Sequence, residues 1–484
     1  MKVRSRIDRD HSLLLAIMIL AISLTLYPHL HYPFLLHVDE WFHVAVAKEI
    51  VLGENIDWYS GEEFSIWMER GWHFLLATIY FLFKPSATQW IYLPATFHVL
   101  AVLSIYYFVV KLFGKKEALI SALLIALIPS NVTIGGPVFL IPVNLSLIFI
   151  PLALLFAFGE GSTLRNYAGL FAITTFLLYA HPPTAVILLL ILSIYFLLNL
   201  FSKDVLAREK AKFILLVMFL SVLVSTPNYL FYAQEKGLEV AKFDFWIYLR
   251  AIPYIYGVIP ALFFIVGVYF LSRTRSKEVW TLLLASMLLA VNIFIFTKFG
   301  VNWLIYYSRT FIPLFLLMSI IAGYGFGKLT ELEKPFKWIG NVLLILALIA
   351  TVFFSVNAHL ETPYYHLIDE KDYENFLWIK ENTDEDITVL LCPWKARAFA
   401  PIAERRVFTV RPVGPSPKRE HANEQAWQFF NDNCTNTSFL VENNISVVYA
   451  KLLVDLRVQL PVECRNEELV EVWNRTYVLK RSLS

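Results

Sequence analysis

Hydrophobic residues fall along this chain in long, nearly unbroken runs, separated by short polar stretches. Runs lie near residues 12–34, 90–110, 117–134, 138–158, 166–180, 183–201, 212–231, 251–272, 279–297, 304–327 and 337–357. A helix needs about 17–25 residues to cross a hydrocarbon core of about 30 Å. The pattern therefore predicts an all-α polytopic membrane domain over residues 1–357, with about eleven transmembrane helices. The run at 166–180 is short and fits a helix with little tilt. A further stretch, residues 71–84 (GWHFLLATIYFLFK), is shorter still and reads as an interfacial segment within a first outer loop of residues 35–89.

Composition supports this division. Apolar residues make up 58% of the chain, charged residues 17%, and the mean hydropathy is +0.59. Ordinary soluble domains sit near 45–50% apolar and about 25% charged. The basic N-terminus leads straight into an apolar run, as a signal peptide would. It has no clear small-x-small cleavage site, so it reads as a retained first helix.

Charge sets the expected orientation. With Lys2, Arg4, Arg6 and Arg9 inside, and with 71–84 not crossing, the inner connections carry Lys111, Lys115, Lys116, Arg165, Lys203, Arg208, Lys210 and Lys212. They also carry Arg273, Arg275, Lys277, Lys328, Lys334 and Lys337. That makes 18 basic residues inside against eight outside, and a crossing at 71–84 would swap every later loop. The expectation is a multi-pass cell-membrane protein with a cytoplasmic N-terminus and an extracytoplasmic C-terminal domain, residues 358–484. The net charge of +2 is segregated between the two faces and implies no nucleic-acid partner.

The C-terminal domain reads as small and α/β. KDYENFLWIKEN has helical spacing, ITVLLC and ISVVYA read as strands, and RPVGPSP as a loop. Four N-x-Ser/Thr sequons begin at Asn433, Asn436, Asn444 and Asn474, which fits an outer location. All three cysteines (Cys392, Cys434, Cys464) lie here, allowing one internal disulfide whose pairing the spacing leaves open.

Candidate chemistry concentrates after the first run, in His37-Val38-Asp39-Glu40-Trp41-Phe42-His43. Glu49, Glu54, Asp57, Glu62, Glu63 and Glu69 follow and read as solvated acids. Asp39 and Glu40 differ, because apolar and aromatic residues surround them at the edge of the hydrocarbon. A carboxylate held there is costly and marks function, and partial burial raises its pKa toward the range of a general base. N-capping of the next helix is the structural alternative for Asp39.

An acidic pair directly after the first membrane helix resembles the first-loop motif of the GT-C superfamily of membrane glycosyltransferases. That superfamily includes protein O-mannosyltransferases, aminoarabinose transferases and oligosaccharyltransferase subunits. Residues 90–116 are similar to the family's helix leading into an L-F-G turn, and residues 373–411 to the opening of many of its outer domains. The resemblance implies an inverting transferase that takes a sugar from a polyprenyl (dolichyl) phosphate donor. The acceptor would be a lipid-linked glycan or a protein. Phosphate leaves without a general acid, so one base suffices. Carried over, Asp39 is that base, and Glu40 positions it, the acceptor or a metal ion.

The leaving phosphate calls for cations among Lys236, Lys242, Arg250, Lys298 and Arg309. Arg309 stands out in the aromatic run Tyr306-Tyr307-Ser308-Arg309, since guanidinium pairs bidentately with phosphate. Lys298, Tyr307, His43 and His181, in the turn His181-Pro182-Pro183, complete the expected substrate-binding set. No cofactor is required by the resemblance. Asp39 and His43 share a helical face, with His37 nearby, and suit a divalent ion such as oligosaccharyltransferases use. Many relatives need none. The W-W-D-Y-G signature of oligosaccharyltransferases is absent; the nearest tryptophan-containing stretch is Cys392-Pro393-Trp394-Lys395, and the loop Asn131–Pro137 carries no acid. These departures favour single-sugar transfer over en bloc glycan transfer. A noncatalytic transporter or flippase is the reading from another class; such proteins usually hold ionisable residues near the midplane, often within related repeats.

Overall fold

The structure is a computed structural model that describes residues 2–53, 58–59, 69–159, 163–236, 249–303, 305–331, 337–411, 417–455 and 457–480. Glu54, Asp57, Glu62, Glu63, Lys242, Lys334 and most of the RPVGPSP stretch lie outside the described residues.

Every one of the eleven apolar runs falls on a helix. They are α1 (Lys2–Leu26), α4 (Tyr92–Leu112), α5 (Lys115–Ala126), α6 (Leu145–Phe158), α7 (Leu164–Ala180), α8 (Pro182–Leu200), α9 (Val205–Lys236), α11 (Val258–Leu271), α12 (Lys277–Phe299), α13 (Phe311–Leu329) and α14 (Lys337–Glu361). The short α10 (Ile252–Tyr256) precedes α11. Among the described residues, seven helical stretches have the length and apolarity for a full crossing: Arg9–Leu30, Tyr92–Leu112, Pro182–Leu200, Val205–Leu230, Lys277–Phe299, Tyr307–Leu329 and Gly340–Glu361. The chain is thus a multi-pass membrane protein, but α5, α6 and α11, at 12, 14 and 14 residues, fall short of their expected spans, whereas α7, at 17, covers its own short run. For α5 and α6 the reason is local: Pro129, Gly135, Gly136, Pro137 and Pro142 break the helix between them.

The resulting segment, 127–144, is irregular yet buried. Such backbone is tolerated away from water only where protein satisfies it. Asn131 Oδ1 accepts the amides of Thr133 and Ile134 at 2.9 and 3.0 Å, and Ser130 Oγ accepts that of Val138 at 3.2 Å. Asn144 Nδ2 donates to the Gly136 and Phe139 carbonyls at 2.8 and 2.7 Å. Gly136 sits at φ +123°, where a Cβ would lie 2.5 Å from Ser130 Oγ, so only glycine fits.

Helix α13 is the hub, with 94% of its span buried. Small residues let neighbours approach it: a Cβ on Gly267 of α11 would meet the Ile321 carbonyl at 2.1 Å. Helices α9 and α14 instead expose apolar side chains such as Phe219, Leu223, Leu346 and Phe353, as lipid-facing helices do. Between α1 and α4 lie α2 (Val38–Leu52) and α3 (Arg70–Phe83), which pack on each other, with α3 also against α7. The 71–84 stretch is this α3, burying Trp72, His73, Leu76 and Ala77 and exposing Phe74, Phe81, Leu82 and Phe83.

Among the described residues, the seven strands all lie in the C-terminal part. Strands β1 (Thr388–Leu390), β2 (Arg406–Val407), β3 (Ile445–Tyr449), β6 (Leu469–Trp473) and β7 (Thr476–Leu479) form a mixed sheet of order β2-β1-β3-β7-β6. Pairing is parallel around β1 and antiparallel around β7. Strands β4 (Lys451–Leu453) and β5 (Gln459–Pro461) make a separate antiparallel pair. Helices α15 (Glu370–Asn382), α16 (Ala396–Ala403), α17 (Pro417–Asn431) and α18 (Thr437–Glu442) accompany them. KDYENFLWIKEN is in α15, and ITVLLC and ISVVYA supply β1 and β3, as their patterns predict. Cys434 and Cys464 form the disulfide; Cys392 is free and buried.

This region is clamped onto α2. Lys48 pairs with Glu404 at 2.7 Å and donates to the Pro401 carbonyl at 2.7 Å. Tyr59 Oη donates to the Arg397 carbonyl at 3.0 Å, and the Tyr365 amide to the Leu36 carbonyl at 3.2 Å. The clamp fixes the helix that carries the acidic pair.

Candidate active site

The start of α2 is built as a capping box with an imidazole as cap. His37 takes extended backbone geometry and its Nδ1 accepts the Asp39 amide at 3.1 Å, while the N3 residue, Glu40, accepts the His37 amide at 2.7 Å. Glu40 goes further. Its carboxylate also accepts the Leu36 amide at 2.8 Å and, from the irregular segment, the Leu140 amide at 2.6 Å. Its exposure is 1%, and burial pushes its pKa up to about 8 against the pull of the three N–H donors. Glu40 therefore holds backbone together rather than facing a cavity.

Asp39, one residue earlier, has the opposite environment. Its side chain is 19% exposed, and its nearest nitrogen partner is His37 Nδ1 at 3.6 Å. Among the described residues no donor hydrogen-bonds its carboxylate, which leaves both oxygens available to an incoming hydroxyl. One turn along α2, His43 lies on the same face and is buried.

Around these two residues a polar cluster assembles from four elements. His43 Nδ1 meets His73 Nε2 of α3 at 3.0 Å. Glu69, just before α3, places one carboxylate oxygen 3.9 Å from His43 Nε2 and the other 3.8 Å from His181 Nε2. His181 caps α8 through Nδ1, which lies 2.7 Å from Thr184 Oγ1, so its Nε2 is the nitrogen turned to Glu69. Burial holds His43 and His181 well below the usual histidine range, with Arg309 adding to the effect. Both imidazoles are therefore neutral at pH 7. Burial pushes Glu69 up to about 7, with Asp39 also raising it and Arg309 opposing.

Arg309 sits in a 3-10 turn, Tyr307–Thr310, that opens α13. Its charge is felt by Glu69, His37, His43 and His181, which places it in the cluster. Among the described residues no carboxylate lies within 4 Å of its guanidinium, so it is half-buried with its charge uncommitted. Tyr307 is fully buried, its ring stacked on Phe296 at 3.9 Å and 5°. Its ring is packed against Phe296, Tyr306 and Phe311. Lys298 is exposed at the end of α12, and no contact ties it to the cluster.

His73 was not among the residues singled out from the sequence, and Glu69, read there as a solvated acid, is instead only 16% exposed within the cluster. Their signal was the four-residue spacing in Glu69-Arg70-Gly71-Trp72-His73, which puts an acid and an imidazole one turn apart. With His43 they make a metal-capable set, one donor atom from each lying within 4.8 Å of the others. A tetrahedral ion with bonds of about 2.0–2.1 Å needs donors about 3.4 Å apart, and two imidazoles with a carboxylate are a suitable donor set, so the residues fit a divalent cation.

No protein-family model and no curated protein matches the chain. Solved structures do. The oligosaccharyltransferase of Archaeoglobus fulgidus in complex with an inhibitory peptide and a dolichol-phosphate aligns with a TM-score of 0.64 at 13% identity, covering 91% of this chain and 69% of that one. ArnT from Cupriavidus metallidurans bound to undecaprenyl phosphate aligns at 0.57 and 10% identity, over 95% and 98%. The mycobacterial arabinofuranosyltransferase AftD aligns at 0.63 and 13% identity, over 95% of this chain and 39% of that one. All are GT-C superfamily membrane glycosyltransferases, and this chain has their fold.

Proposed function

We propose that the protein is an inverting glycosyltransferase that moves a sugar from a polyprenyl-phosphate donor to a hydroxyl acceptor on the outer membrane face, with the C-terminal α/β domain on that side. The observation that carries the reading is the contrast between two adjacent carboxylates. Glu40 is consumed by three backbone amides, whereas Asp39 is left without a donor, and its charge and that of the uncommitted Arg309 act on the same neighbours, His37 and Glu69. Carboxylates whose environments are driven apart in this way take different roles. The neighbours' bound dolichol-phosphate and undecaprenyl phosphate support the donor class.

In this reading Asp39 takes the proton of the acceptor hydroxyl. The acceptor oxygen forms its bond to the anomeric carbon as the bond from that carbon to the phosphate oxygen breaks, with inversion. The phosphate departs as an anion and needs no proton. Arg309 is placed to bind its oxygens in a bidentate fork, an interaction strengthened where water is excluded. Neutral His181 and His43 shape the pocket without adding charge. His43, Glu69 and His73 would hold a divalent cation, which would supply further positive charge beside the leaving group. Glu40 and Leu140 fix the position of Asp39.

The test uses purified wild type and Asp39→Asn in a non-glycosidic detergent, with radiolabelled polyprenyl-phosphate sugars and a membrane-lipid extract as acceptor source. Wild type is expected to transfer label and Asp39→Asn to lose at least a hundredfold while still binding donor. Failure of wild type with every donor, while a GT-C relative works alongside, would sink the reading in favour of transport.

A further inference from the structure

The first residues of the irregular segment after α5 also wall a cavity of about 340 Å³, which shares no residue with the polar cluster around Asp39. Its other walls are α10, the start of α11 and the C-terminal half of α14. The volume lies within the range of small-molecule sites, about 300–1,000 Å³. Tyr254, Val258 and Phe354 line it and are exposed, so it opens on the lipid-facing surface.

The α14 wall is polar. Thr351, Ser355, His359 and Thr362 are spaced by four, four and three residues, so they share one helical face, and all four line the cavity. The two threonines bond back to their own helix, at the Ala347 and Ala358 carbonyls. His359 is different: it is only 5% exposed, yet neither ring nitrogen makes a hydrogen bond. The backbone of Leu127 and Ile128 comes close to the ring, and its carbonyls can serve only an N–H. In a neutral ring the second nitrogen is an acceptor and is left without a donor. Its neighbour His98 shows the ordinary arrangement, with Nδ1 2.8 Å from Thr25 Oγ1 and Nε2 3.1 Å from the Ile125 carbonyl. An unpaired buried polar atom is costly and calls for a partner.

The lining limits what that partner is. No lysine, arginine, aspartate or glutamate faces the cavity among the described residues, so a phosphate would enter without compensating charge. What fits is an apolar body with one uncharged hydroxyl that donates to the imidazole. We propose that this cavity binds an uncharged long-chain membrane alcohol, its hydroxyl on His359 and its chain against the apolar walls of α10 and α11. The occupant braces α14, whose span is only 17% buried, against those two helices. It is neither the donor nor the acceptor of the transfer proposed above, and the site stands whether or not that reading holds.

Tritiated farnesol is the probe, with purified full-length protein in a zwitterionic detergent. Wild type is expected to bind it saturably and to melt at a higher temperature in its presence. His359→Phe keeps a ring and removes both nitrogens. It should melt no lower than wild type without the probe, because no polar atom is left bare, and bind farnesol about tenfold more weakly or worse. Farnesyl methyl ether, which cannot donate, should bind wild type as weakly as farnesol binds the variant. Farnesyl phosphate should fail to displace farnesol. No saturable binding by wild type, equal binding by His359→Phe, equal binding of the ether, or displacement by the phosphate would each overturn the site. If His359→Phe misfolds, the comparison of alcohol, ether and phosphate on wild type decides alone.

Discussion

Glu40 Oε1 accepts the Leu140 amide at 2.6 Å, joining positions 100 residues apart. The bond ties the start of α2 to the irregular segment between α5 and α6. Removing the carboxylate would strand three amides, two of them in fully buried surroundings, at about 1–3 kcal/mol each. Glu40→Ala is therefore expected to lower the thermal midpoint by several degrees and to lose activity through misplacement of Asp39. Asp39→Asn should do the reverse, with activity lost and midpoint kept. Differential scanning fluorimetry beside the transfer assay separates the two; a Glu40→Ala protein as stable as wild type would refute the assigned role.

Burial of Glu40 gives stability a pH slope. Its pKa in the fold is pushed up to about 8 from the ordinary 4.5, so folding favours the protonated acid. This contribution is fully present below about pH 4.5 and is lost as pH rises through about 8. The midpoint of wild type should therefore fall between pH 6 and 9 by more than that of Glu40→Gln, whose side chain does not titrate. Parallel curves for the two proteins would contradict it.

Arg309 is expected to act on the donor. Arg309→Gln should weaken binding of a polyprenyl phosphate by about tenfold or more, since a charge-assisted bidentate contact is lost. Arg309→Lys should recover only part of it, because an ammonium cannot reproduce the planar fork. Microscale thermophoresis with a short-chain prenyl phosphate reads this directly, and an unchanged Kd in the glutamine variant would remove Arg309 from the donor site.

His43, Glu69 and His73 come from different elements yet offer donor atoms within 4.8 Å. One divalent ion per chain is expected when protein stripped with chelator is titrated with Zn²⁺ or Mn²⁺ in a calorimeter. His73→Ala should abolish that binding event, while Lys298→Ala, at an exposed site away from the cluster, should not. Binding that survives His73→Ala would place the ion elsewhere.

Much of this arrangement was legible from the sequence because hydrophobic runs in a membrane protein are long and unambiguous. Every predicted run became a helix, and among the described residues the strands all fall within 358–484. What pattern alone could not show was the length of each crossing. The proline- and glycine-rich stretch after α5 looks apolar enough to continue a span, and only its side-chain brackets, Ser130, Asn131 and Asn144, reveal buried irregular backbone. The acidic pair was visible, but adjacent carboxylates look alike in sequence. It takes three amides, one from residue 140, to separate Glu40 from Asp39. Glu69 and His73 were hidden for a similar reason: Glu69 read as a solvated acid and His73 lay in an apolar stretch read as interfacial, until α3 brings both against α2. Tyr307 was placed near Arg309 by sequence adjacency, and its stacking on Phe296 turns it into packing.

The strand-bearing C-terminal part holds a buried ion pair between Lys395 and Asp372. Lys395 Nζ lies 2.8 Å from both Asp372 oxygens with neither side chain exposed, and Tyr449 Oη donates to the same carboxylate at 2.5 Å. Burial lowers the Lys395 pKa, outweighing the opposing effect of the Asp372 charge. Breaking such a pair from one side leaves an uncompensated charge and costs about 3–5 kcal/mol, whereas replacing both partners by apolar residues is often neutral. Lys395→Met is therefore expected to unfold this region at lower urea concentration, partly offset by Lys451 Nζ, which stays 3.2 Å from Asp372, and Lys395→Met with Asp372→Leu to recover part of the loss, short of full recovery because Lys451, the Tyr449 hydroxyl and the Asp369 amide lose their partner. Urea melts of the three proteins, followed by tryptophan fluorescence, measure this. A single variant as stable as wild type would mean that the pair contributes nothing.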